Sequence, residues 1–164
     1  MEIAIISDTH LPKGSRRLPE ACVARLTTAD LIIHGGDLVQ LSVLQELQAL
    51  GPRVVAVHGN VDDAAVRAAL PETAIVDAGE HRIGIIHDAG PATGRLRRLH
   101  ARFPDAQAVV FGHSHIPLHE RAPNGFQIFN PGSPTDRRRQ PRFTMGACRG
   151  HAGARLEFEL VELP

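Results

Sequence analysis

Apolar residues fall in short β-branched blocks, separated by stretches with helical spacing. Glu2-Ile-Ala-Ile-Ile6 reads as a buried strand, and Leu31 to Ile33 and Arg53 to Val57 repeat the pattern. After a loop carrying Pro12, Gly14 and Pro19, Glu20 to Leu26 reads as a helix. Val39 to Leu50 places Val39, Val43, Leu44, Leu47 and Leu50 on one helical face, and Gly51-Pro52 stops it. Asp62 to Leu70 predicts a short helix with acids at its start, Asp62 being the expected cap. This βαβαβα order predicts a parallel sheet with covering helices.

The pattern then changes. Thr73 to Asp77 and His81 to Ile86 flank Ala78-Gly79-Glu80 as a hairpin, followed by an arginine-rich helix at Thr93 to Arg102 and a buried strand at Ala108 to Phe111. Strands near His119 to Ala122 and Phe126 to Phe129 meet through Asn124-Gly125, a strong hairpin signal. Phe143 to Cys148 and Arg155 to Val161 turn at Gly150 to Gly153. The back half is thus expected to be mixed and more antiparallel. No repeat, linker or low-complexity segment interrupts residues 1–164, so a single domain is expected.

Composition narrows the chemistry. Charges cancel, with 18 basic and 18 acidic residues, which removes a long-range field for nucleic acid or anionic membrane. Cys22 and Cys148 stand far apart and form no disulfide framework. The apolar run at Ile3 to Ile6 is too short for a secretory signal, and no run approaches a membrane span, so a cytoplasmic location is expected. Ten histidines in a chain without tryptophan or tyrosine are the unusual feature, because neutral imidazole is the commonest metal ligand.

Their positions matter more than their number. Ligands of open α/β sheets bind beyond the carboxyl ends of strands. Five predicted strand ends are followed by Asp8-Thr9-His10, Gly36-Asp37, Gly59-Asn60, His87 and Gly112-His113-Ser114-His115. Any one of these is ordinary turn or cap chemistry; five in order are hard to obtain that way. Four imidazoles, two carboxylates and one carboxamide suit first-row transition metals better than calcium or magnesium. Seven donors exceed one tetrahedral site, so two ions sharing a carboxylate is the economical arrangement. Their uncancelled positive charge favours a hydroxide and an anionic substrate.

This ordered motif set resembles the calcineurin-like metallophosphoesterases over nearly the whole chain. With Asn130-Pro-Gly-Ser133 and the short length, it is similar to their small YfcE-like phosphodiesterase branch. The resemblance implies a four-layer α-β-β-α sandwich of two mixed sheets flanked by helices, with two divalent metals at strand ends. One metal would take Asp8, His10, Asp37 and His115; the other would take Asp37, Asn60, His87 and His113, with Asp37 as bridge. Asp37, Asn60 and His113 are then the catalytic candidates, acting as ligands. Manganese is the first choice of metal, with iron, nickel or zinc as alternatives.

The implied reaction is phosphodiester hydrolysis by a bridging hydroxide acting on a small phosphate ester. The alternatives are a phosphomonoesterase or nucleotidase, and an assembly scaffold like the retromer subunit of this fold. Complete retention of all seven chelating positions favours the enzyme. Monoester-cleaving branches place a histidine after the Gly-Asn pair; Val61 stands there instead and donates no proton, which favours diesters or activated esters. Asp88 follows His87 where glycine is usual, as either an acceptor for the site or a surface residue. His34 and His58 precede the Gly-Asp and Gly-Asn motifs and are expected to pack or to support the ligands; Asp62 offers a lesser alternative role in orienting the site. Arg137, Arg138, Arg139 and Arg142 are candidate phosphate guides beside a solvated-loop reading. Arg95, Arg97, Arg98 and Arg102 read as the solvent face of their helix.

Overall fold

The computed structural model describes residues 1–164. Its elements run β1 (Glu2–Ile6), α1 (Glu20–Thr28), β2 (Leu31–His34), α2 (Leu41–Ala49), β3 (Arg53–Ala56), α3 (Ala64–Ala69), β4 (Thr73–Ala78) and β5 (His81–Ile86). They continue with α4 (Arg95–Arg102), β6 (Ala108–Val110), β7 (Leu118–Arg121), β8 (Gln127–Asn130), β9 (Phe143–Arg149) and β10 (Glu157–Leu163). Two five-stranded sheets result, ordered β10-β9-β1-β2-β3 and β4-β5-β6-β8-β7. In the first, β1, β2 and β3 are parallel, as the alternation predicts, and β9 and β10 are antiparallel additions beside β1. The second pairs β5, β6 and β8 in parallel between antiparallel edges β4 and β7.

Strand pleating explains the layers, since alternate residues face opposite sides. Ile3 and Ile5 of β1 and Leu31 and Ile33 of β2 pack against Val76, Ile83, Ile85, Val110 and Phe129 of the other sheet. From the opposite face of the first sheet, Ala4, Ile6 and Ile32 meet Cys22 and Leu26 of α1, Val43, Leu44 and Leu47 of α2, and Val66 of α3. On the far side of the second sheet, Val109 and Ile128 meet Leu99 of α4 and Phe103. Helices, sheet, sheet and helix make the expected four-layer sandwich. Accessible surface is 8082 Å², close to the roughly 8,000 Å² expected of a compact chain of this mass. No helix is long and apolar enough to cross a membrane.

Differences from the sequence expectation are local. Helix α2 begins at Leu41, because Val39 has φ 90°, pairs with Leu11 in an isolated bridge and donates its N–H to Asp62. Asp63, not Asp62, caps α3 by accepting from Val66 N at 2.9 Å. Arg95 and Arg98 are not simply a solvent face. Arg98 donates to the carbonyls of Ala89 and Pro91, each at 2.7 Å, while Arg95 reaches Gly90 O and lies 5.1 Å from the Phe111 ring centre. The peptide bonds before Pro117 and Pro131 are trans; the cis bond is Leu11–Pro12.

Candidate metal centre

Strands β1, β2 and β3 of one sheet and β5 and β6 of the other bring their carboxyl ends to one edge of the sandwich. The loops leaving them carry Asp8, His10, Asp37, Asn60, His87, His113 and His115, and all seven converge there. Asp8, His10 and His115 form one group whose donor atoms lie within 4.8 Å of one another; Asp8, Asp37 and His87 form a second. Asn60 closes the second side, its Oδ1 3.1 Å from His87 Nε2 and 3.0 Å from His113 Nδ1. Asp8 therefore faces both groups, beyond the single role expected of it.

The spacings suit a shared centre. His87 Nε2 and His10 Nε2 lie 3.2 and 3.4 Å from Asp37 Oδ2. His115 Nε2 lies 3.5 Å from Asp8 Oδ1, and His10 and His87 Nε2 each lie 3.9 Å from it. Donors about 2.1 Å from one ion sit about 3.0–3.4 Å apart, so most of these separations approach ligand edges. His10 Nε2 is buried between these carboxylates and forms no hydrogen bond, which leaves a nitrogen whose lone pair a metal would occupy. Donor type, spacing and this nitrogen fit a divalent transition metal.

Backbone groups aim these candidate ligands. His87 Nδ1–H donates to Gly35 O at 2.8 Å and His115 Nδ1–H to Asp136 O at 2.5 Å, which leaves each Nε2 lone pair facing inward. Fully buried Asp8 accepts from Ser7 Oγ–H and from His113 N–H. Asp37 Oδ1 accepts from Val61 N–H. Asp8, His10, Asp37, His113 and His115 all have φ between 47° and 70°. Five non-glycine residues in this sparsely populated region indicate backbone strain held by surrounding contacts. Two glycines make the approach possible. A Cβ on Gly36, itself at φ 99°, would lie 2.6 Å from His87 Nδ1, and one on Gly59 would overlap the Asp37 carboxylate.

Residues behind the ligands were only partly legible. Asp62 is buried and accepts from the N–H groups of Asp37, Val39 and Gly59 at 3.0, 2.6 and 2.6 Å, so it organises two ligand loops at once. His34 is fully buried; Gly36 N–H donates to its Nδ1, leaving Nε2–H for Thr9 Oγ1. The Asn130-Pro-Gly-Ser133 motif latches both sides. Asn130 Nδ2 donates to Gly112 O, and Ser133 Oγ–H to Asp8 O. Thr135 and Asp136, which sequence reasoning missed, complete that latch by bonding Thr9 O and His115.

Electrostatics follow the geometry. Burial by itself pushes the His10 imidazole down, but Asp37 and Asp8 outweigh it and raise its pKa to about 9. His87 is raised for the same reason, again against burial. Asp37 is held well below the usual carboxylate range: His10 and His87 outweigh its burial. His34 is pushed down to about 4 by burial.

The arginine loop is less engaged. Arg137 donates to Gln140 O and lies over Phe143, Arg142 faces Glu162, and Arg139 is exposed. Arg138 alone approaches the site, 3.4 Å from Asp136 Oδ2. Asp88 accepts from Gly90 N–H with one oxygen and places the other 4.0 Å from His113 Nε2.

A two-sheet sandwich with chelating residues at its strand ends is the arrangement of metal-dependent phosphoesterases. Residues 1–151 match the calcineurin-like phosphoesterase superfamily domain, and the chain belongs to that family. It is 36% identical over 138 residues to a probable metallophosphoesterase of Methanocaldococcus jannaschii, covering 82% of this chain and 69% of that one. Wild-type Vps29 of Entamoeba histolytica complexed with zinc shares the fold, with TM-score 0.77, 22% identity and 99% coverage of both chains. An archaeal phosphodiesterase matches similarly, with TM-score 0.77, 21% identity and coverage of 99% of this chain and 100% of that one.

Proposed function

We propose that this metallophosphoesterase hydrolyses small phosphodiesters with two divalent transition metals, manganese being the first to test. Asp8, His10, Asp37 and His115 would hold one ion and Asp37, Asn60, His87 and His113 the other. The convergence of seven chelating side chains on one edge, among them a buried His10 Nε2 that lies beside two carboxylates yet forms no hydrogen bond, carries this reading. Bound there, such a pair supplies an activated water and positive charge for the phosphoryl oxygens.

The chain's own residues set the rest. His87 and His115 are locked as Nε2 donors by their carbonyl partners, so little reorganisation accompanies binding. His113, 46% exposed at its side chain, forms the outer wall where substrate arrives. Val61 is 42% exposed at this rim and offers no proton to a departing oxygen, which disfavours alkyl monoesters. The test compares bis(p-nitrophenyl) phosphate with simple alkyl monoesters in the manganese-loaded protein and its Val61→His variant. The diester is expected to dominate, and the variant to gain about tenfold or more on monoesters. Equal monoester activity before substitution, with no gain after it, contradicts the diester assignment.

A further inference from the structure

A cleft of about 470 Å³ opens from Asn60 and His87, away from the first metal group. His58, Arg67, Glu72, Asp88 and Arg102 line it, and Ile86 is its one apolar wall residue. We infer that this cleft receives the ester arm that stays on phosphorus, and that this arm is a neutral, hydroxyl-rich polyol of glycerol or sugar type. The inference rests on the phosphoesterase reading and specifies its substrate.

The lining suits the other common arms less well. A nucleobase binds by stacking on broad aromatic faces; no Phe, Tyr or Trp lines the cleft, and of its two imidazoles that of His87 is only 5% exposed. An acyl chain needs apolar walls, and Ile86 alone supplies one. A second phosphate gains no net attraction, because two guanidiniums stand with two carboxylates. Arg67 is also already engaged, donating to Asn60 O at 2.8 Å and Asp62 O at 2.9 Å.

What remains matches hydroxyl groups, which both donate and accept. Glu72 and Arg102 face each other at 3.4 Å with side chains 72% and 50% exposed, a loose pair that hydroxyls can enter. His58 Nδ1 is buried without a partner at the same wall. Val61, where the departing oxygen is expected, is not part of the cleft, which assigns the cleft to the retained arm.

The test keeps the leaving group constant. Glyceryl, thymidine and octyl esters of p-nitrophenyl phosphate all release p-nitrophenol and differ only in the retained arm. The glyceryl ester is expected to give the highest kcat/KM of the three. Glu72→Gln and Arg102→Gln should each raise its KM about fivefold with kcat within about twofold. In metal-free protein, adding the glyceryl ester should shift the NMR signals of the Arg102 and His58 side chains, less so in Arg102→Gln. Preference for the thymidine or octyl ester, an unmoved KM, or no shifts at these side chains overturns the inference while leaving the phosphoesterase reading intact. Failure to hydrolyse any ester, bis(p-nitrophenyl) phosphate included, overturns both.

Discussion

Adjacent acids Asp62 and Asp63 divide two tasks that sequence alone does not separate. Both precede a helix and both qualify as caps, but the chain turns so that Asp63 reaches Val66 N and Asp62 points back among three loop N–H groups. Asp62→Ala leaves those donors buried without an acceptor. A loss of about 3 kcal/mol in urea unfolding is expected, together with weaker metal binding as the Asp37 loop relaxes. Unchanged stability would show that water substitutes freely there. Titration supplies a second prediction at this scale. His10 is protonated at neutral pH in metal-free protein, since its pKa is about 9. A metal held by His10 must displace that proton, so its apparent affinity should climb as pH rises toward about 9. Calorimetry in buffers of differing ionisation enthalpy should detect proton release at pH 7; none released would mean the His10 imidazole was already neutral. The same shift acts oppositely on metal-free stability. The His10 contribution is complete below about 6.5 and fades as pH passes about 9, whereas buried neutral His34 stabilises above about 6.5 and less as pH falls toward 4.

Elements explain why the converging chelating residues were readable and their supports were not. A buried strand with a chelating residue just past its end is a local signal, and β1, β2, β3, β5 and β6 each carry one, with glycine directly before that residue after β2, β3 and β6. The supports are long-range: Ser133 reaches Asp8 across 125 residues, and Asp62 reaches Asp37 across 25. Helix ends shifted for a similar reason. Val39 keeps helical apolar spacing in sequence, yet tertiary hydrogen bonding draws it into the ligand loop at positive φ. Arg95 and Arg98 look like a solvent face by periodicity but serve the carbonyls of the loop after His87. The short β3–α3 link makes its own prediction. Gly59→Ala keeps ordinary backbone geometry but drives a methyl group into the Asp37 carboxylate. The variant should fold, with far-ultraviolet circular dichroism unchanged, and bind metal at least about tenfold more weakly. Wild-type metal affinity would mean the loop yields without moving Asp37.

At the scale of the whole molecule, the layers were legible and the return of the chain was not. Periodicity identifies every strand, and the alternation foretells the parallel β1-β2-β3 set. That β9 and β10 leave the second half to pair beside β1 depends on non-local register, here Ile3 with Cys148 and Ile5 with Gly146, which no local pattern encodes. This return closes the first sheet while the neighbouring sheet delivers His87, His113 and His115, so the site exists only when both halves are folded together. Metal binding is therefore expected to stabilise the whole fold in one step. The most direct measurement is manganese stoichiometry of metal-free protein, followed by turnover of bis(p-nitrophenyl) phosphate, for the native chain and Asp37→Asn. Two ions per chain are predicted, with turnover that requires them and disappears in the variant. One ion or none, or turnover that survives without metal or without the Asp37 carboxylate, would contradict the two-metal account.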